Sequence, residues 1–143
     1  MIKKIFASLL AGASVLSFSS LPALARPADK FTVHRSYSPS ECNILVSGEN
    51  FNCDEVIFGG FRSGEVNIKF CSQQYCLIMI VDADEVPKIA RGRDFYVSSV
   101  ALQEGSSITN QWNASIDCGF SRSNGLGCLG TLRNGTRLVV YTE

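Results

Sequence analysis

Hydrophobic and polar positions alternate with a period of two through much of this chain. Between residues 108 and 120 one face collects Ile108, Asn110, Trp112, Ala114, Ile116, Cys118 and Phe120. The other collects Thr109, Gln111, Asn113, Ser115, Asp117 and, just beyond, Ser121. Side chains of a strand point alternately to opposite faces, so this pattern predicts a half-buried strand with Trp112 turned inward. In 65–71, Val66, Ile68 and Phe70 face one way while Glu65, Asn67 and Lys69 face the other. The run Leu77-Ile78-Met79-Ile80-Val81 is apolar on both faces, which predicts a central strand covered on both sides and hence two layers.

Further short runs of β-branched and aromatic residues place strands near 43–47, 55–61, 75–81, 95–103, 127–132 and 137–142. Between them lie turn sequences rich in residues that tolerate positive φ: Ser47-Gly48-Glu49-Asn50, Arg62-Ser63-Gly64, Asn124-Gly125 and Asn134-Gly135. One short helix is expected after residue 81. Asp82 and Glu85 have capping-box spacing, Lys88 and Arg91 stand near the end, and Gly92 follows, while Pro87 confines the helix to about two turns. The predicted fold class is all-β: a small antiparallel sandwich or closed barrel with one short connecting helix, stapled by disulfides.

The N-terminus changes the picture of where this domain works. Lys3 and Lys4 form a positive start, residues 5–21 carry no charge and are largely apolar, and Ala23-Leu24-Ala25 has the small-x-small form of a cleavage site. The serines within the run and Pro22 after it suit an uncleaved membrane anchor less well. The expected organisation is a cleaved signal peptide at 1–25, a weakly ordered extension at 26–40, and a single β-rich disulfide domain at 41–143. After cleavage eleven basic residues face thirteen acidic ones, a formal charge of about −2. With the signs scattered, this excludes the electrostatic footprint of a nucleic-acid or anionic-lipid binder. No later segment is apolar for long enough to insert in a membrane as a helix.

Six cysteines in a short exported chain read as a disulfide framework. Cys71 and Cys76 flank a four-residue loop, Cys118 and Cys128 bracket Asn124-Gly125, and Cys42 and Cys53 bracket Gly48. The hairpin spacing favours pairing 42–53, 71–76 and 118–128. Zinc and redox roles fit poorly, since there is no C-x-x-C pair and His34 is the only histidine.

Candidate chemistry is sparse, and no catalytic residue, cofactor site or metal site is assigned. Asp82, Asp84 and Glu85 could attract a hard cation, but acids at a helix N-terminus account for them without an ion. His34 lies in the extension, where no frame holds it as a base. Glu41, Asp54 and Glu55 lie close to Cys42 and Cys53 in sequence and could serve glycoside chemistry, with almost no specificity to the signal. Tyr37, Phe61 and Tyr96 are candidates for an exposed aromatic patch. Asn113-Ala114-Ser115 and Asn134-Gly135-Thr136 match the glycosylation sequon, the second being better explained as a hairpin turn. Possible recognition loops carry Gln73, Gln74 and Tyr75, Arg91 and Arg93, and Arg122 and Asn124. The expected function is an exported, non-enzymatic binding module in the periplasm or secreted, its partner a protein or glycan outside the cytoplasm. The alternative is a secreted inhibitor of a protease or a lysozyme-type hydrolase, and a small carboxylate-dependent hydrolase comes third.

Overall fold

A computed structural model describes residues 33–122 and 125–143. Ten strands run through them: β1 (Val33–Tyr37), β2 (Cys42–Val46), β3 (Glu49–Asn52), β4 (Glu55–Gly60), β5 (Val66–Cys71), β6 (Tyr75–Val81), β7 (Phe95–Glu104), β8 (Ser107–Phe120), β9 (Leu126–Leu132) and β10 (Arg137–Thr142). Among the described residues one helix, α1 (Val86–Ala90), joins β6 to β7. All pairings are antiparallel, in one sheet of order β1-β4-β5-β6-β7-β8-β9-β10-β2-β3.

The sheet is curled into a half-barrel, and its core shows why. One cluster joins Ile44 of β2, Val56 of β4, Phe70 of β5, Met79 of β6, Val100 of β7, Ile116 of β8, Leu126 of β9 and Val140 of β10. Side chains from nearly every strand can meet on one face only if the sheet bends round them. Trp112 lies in this cluster and is 3% exposed. Val86 and Ile89 of α1 pack against it as well.

Three disulfides link Cys42 to Cys53, Cys71 to Cys76 and Cys118 to Cys128, the pairs that the hairpin spacing suggests. Cys71 stands directly opposite Cys76, and Cys118 directly opposite Cys128, so each bond staples a neighbouring strand pair. Closing loops this short limits the unfolded chain by about 2–3 kcal/mol per bridge in the entropic model.

Several expectations change in three dimensions. Val33–Tyr37, assigned from sequence to a weakly ordered extension, pairs with β4 along its whole length, and His34 stands opposite Gly59. Glu49 and Asn50, read as part of a turn, belong to the strand Glu49–Asn52, because Ser47 (φ 51°) and Gly48 (φ 84°) make the reversal by themselves. The capping box does not form. Glu85 is the N-cap, and the Asp82 carboxylate accepts a hydrogen bond from Ser98 Oγ at 3.2 Å instead. Ile108 leaves the face it shares with Trp112 by alternation, because the β7–β8 register shifts between Leu102 and Gln103. It packs with Ile78, Ile80 and Ala101 on the opposite, convex side.

Candidate functional site

The concave side opens where β1 ends the sheet, and a cleft of about 680 Å³ lies there, a size suited to a small ligand. Its first wall is aromatic. Tyr37 on β1 and Phe58 on β4 project from the same face of the paired strands, since Arg35 stands opposite Phe58 and Tyr37 opposite Val56. Their rings stack with centroids 6.4 Å apart and planes 17° from parallel. Tyr37 is 41% exposed, so the stack presents an accessible face.

The second wall comes from Ile89 and Ala90 of α1 and from Gly92 beyond it. The helix stops there because Gly92 takes φ 68°, open to residues without a Cβ. Its N–H bonds to the Ile89 carbonyl at 3.0 Å, and that of Arg93 to the Lys88 carbonyl at 2.8 Å, the paired bonds of a Schellman end. Glu85 ties the other end of the helix down. Its carboxylate accepts from the Tyr96 backbone N–H at 2.6 Å and from Lys88 Nζ at 2.8 Å. The Lys88 hydrogen bond, followed by the Tyr96 N–H, holds the Glu85 carboxyl below its ordinary value.

Phe120 closes one end of the cleft, its ring tilted against buried Phe95 at 5.8 Å. Ser121 and Arg122 follow it along the rim. The turn that carries them is fixed by Ser121 N–H to the Gly125 carbonyl at 2.8 Å and Gly125 N–H to Ser121 Oγ at 2.9 Å. Exposed Arg122 thus lines the same cleft as the three aromatic residues Tyr37, Phe58 and Phe120. Chemically the cleft can stack a flat or ring-shaped apolar face and pair with an anionic group.

The structure gathers some of the residues singled out from sequence and disperses others. Tyr37 and Arg122 line the cleft; Arg91 and Arg93 are exposed beside it on the turn after α1 but are not part of its lining. Asn124 lies outside the described residues. Gln73 and Gln74 are exposed on the separate β5–β6 turn, between Cys71 and Cys76. Tyr75, read as part of that recognition loop, is buried, and its hydroxyl donates to the Asn52 carbonyl at 2.8 Å. Burial raises the Tyr75 phenol above its ordinary value. Phe61, considered for an exposed aromatic patch, is 6% exposed, whereas Tyr96 is 40% exposed and stands apart from the cleft. Glu41 and Asp54 are exposed and Glu55 is partly buried. Among the described residues no three potential metal ligands converge, at Asp82, Asp84 and Glu85 or elsewhere.

Sequence reasoning missed Phe58 and Ile89 and placed Phe120 only on an inward face. No linear signal could have joined them. They come from β4, α1 and the end of β8, and only the curl of the sheet brings those elements to one opening.

Three disulfides fit an oxidising compartment, and among the described residues no helix is long and apolar enough to cross a membrane. Neither family models, curated proteins nor solved structures match this chain.

Proposed function

We propose that this protein is an exported binding domain whose barrel-like sheet holds a ligand in the cleft at its open edge, and that it does no chemistry itself. The observation that carries this reading is the aromatic stack of Tyr37 on Phe58 with Arg122 on the same rim. Stacked aromatic faces suit the C–H face of a sugar ring, and a guanidinium suits a carboxylate. The ligand is therefore an acidic carbohydrate outside the cytoplasm. Calorimetric titration of the oxidised protein with uronic-acid oligosaccharides and with their neutral counterparts tests this. The acidic series binds saturably, Tyr37→Ala weakens it at least tenfold, and Arg122→Ala removes the preference over the neutral series. Absence of saturable binding by either series would defeat the proposal.

A second reading has its own support: Gln73 and Gln74 stand exposed at the tip of a turn braced by Cys71–Cys76. A braced turn can enter the cleft of a hydrolase at small entropic cost, which is how an inhibitor works. In that case alanine at both glutamines abolishes inhibition, and unchanged inhibition removes this reading.

A further inference from the structure

Strand β1, at the edge of the sheet, divides its side chains between two faces. Arg35 stands directly opposite Phe58 and Tyr37 opposite Val56, so these four residues share one side of the paired strands. His34 and Ser36, opposite Gly59 and Ile57, take the other side. Val56 is 0% exposed in the main core and Phe58 packs against that core, which makes the shared side the concave one. Arg35 is therefore a cation that β1 sends to the side of the cleft.

Its place is at the margin, outside the lining itself. Residues directly opposite in an antiparallel pair have Cβ atoms about 4.5–5.5 Å apart, which sets the base of Arg35 beside that of Phe58. Along β1 the two-residue step from Tyr37 to Arg35 covers about 7 Å. Arg35 is exposed, so its guanidinium can meet a ligand that leaves the Tyr37–Phe58 stack along this strand.

Arg122 serves a different side. It lies beyond the end of β8, on a wall of the cleft that β1 does not build. Among the described residues that line the cleft none is acidic. Each guanidinium can grip a carboxylate through two parallel hydrogen bonds. A single acidic sugar on Tyr37 engages one arginine with its one carboxylate. A chain with a carboxylate on each successive unit engages both.

We propose that Arg35 is a specificity-determining residue that binds the second acidic unit of the ligand, so that the cleft selects a polyuronate chain laid along β1 over a single acidic sugar. This inference rests on the reading of the cleft as an acidic-carbohydrate site.

Calorimetric titration of the oxidised protein with oligogalacturonates of one, two and four units tests it. The native protein binds the dimer and tetramer about tenfold tighter than the monomer, the size of one added charge-assisted contact. Arg35→Gln cuts that gain to less than about threefold. Arg35→Lys keeps the charge, loses the forked geometry and retains part of the gain. Arg137→Gln, which removes an exposed charge from the outer face of β10, leaves the gain intact. Equal affinity for one and two units, or a gain that survives Arg35→Gln, would overturn the inference, while binding of the monomer keeps the reading of the cleft. A gain lost equally in Arg137→Gln would overturn it as well, since general attraction between charges would then account for it. If none of the three oligomers bound, the reading of the cleft would fall and this inference with it.

Discussion

The two halves of this sheet share one core and differ on their outer face. Around Ile78 in β5–β8 the convex residues Asn67, Lys69, Ile78, Ile80, Ala101 and Gln111 are all buried, while Tyr96, Asn113, Ser115 and Asp117 further along β7 and β8 are exposed. In β9 and β10 the convex face carries Leu129 and Tyr141, 50% and 39% exposed. The concave partners, Leu126 and Cys128 on β9 and Leu138 and Val140 on β10, are at most 3% exposed, as buried as Leu77 and Met79 on β6. The difference therefore lies entirely in what the outer surface meets. It teaches that a strand's sequence must satisfy two environments independently, and that β6 is written for two apolar ones while β10 is written for one.

Substitutions can break this comparison. The largest effect is expected in the core that both halves share. Phe70→Ala, at a fully buried ring, lowers unfolding free energy by about 3–5 kcal/mol in denaturant titrations. A loss below 1 kcal/mol would show that the concave face is not the packed core.

The seam between the halves comes next. Gly130 on β9 stands opposite Ile116 on β8, and a Cβ there would fall on the Ser115 carbonyl oxygen and 2.6 Å from the Ile116 Cα. Backbone cannot yield as a flexible side chain can, so Gly130→Ala costs about 1–3 kcal/mol by the same titration. A neutral substitution would mean that the two strands are not drawn this close.

A smaller effect separates the two convex faces by pH. Lys69 has its proton affinity lowered by burial from the ordinary 10.5, so the folded protein gives up that proton earlier than the unfolded chain. Its contribution makes stability rise with pH as 10.5 is approached from below. Tyr75, raised from 10.0, pulls the other way over the alkaline range, so the informative quantity is the difference between the native and Lys69→Met profiles. The native protein gains relative to the variant as pH rises. A constant difference would place Lys69 in water.

The smallest effect belongs to the open half. Leu129→Ser, at a half-exposed convex position, changes stability by less than about 0.5 kcal/mol, whereas a loss above 1 kcal/mol would show Leu129 to be packed rather than in water.

Legibility from sequence followed the same division. The two-faced apolar run 77–81 announced a strand covered on both sides, and the structure buries all five of its residues. The alternation in 65–71 set Asn67 and Lys69 on the face opposite Val66, Ile68 and Phe70, yet both are buried; a polar side chain reports its own preference and carries no mark of its surroundings. Ile108 went astray for a different reason. Alternation assumes an unbroken ladder, and one register shift reverses the face of every residue beyond it. β1 was placed in a weakly ordered extension because Val-His-Arg-Ser-Tyr has no apolar period; its strand exists through its backbone pairing with β4. In the cleft, Tyr37 and Arg122 were visible as residue types, but their being neighbours was not.

The sequence by itself determined the local terms: which runs are extended, where the chain reverses, which cysteines a hairpin brings face to face, and that Trp112 turns inward. Each depends on residues a few positions apart, through side-chain period, positive-φ tolerance and loop length. Tertiary structure decided how far the sheet curls, which convex positions are covered, and that Tyr37, Phe58, Ile89, Phe120 and Arg122 share one opening. These depend on contacts between distant segments, whose energies come from burial and shape and leave no periodic trace in the chain.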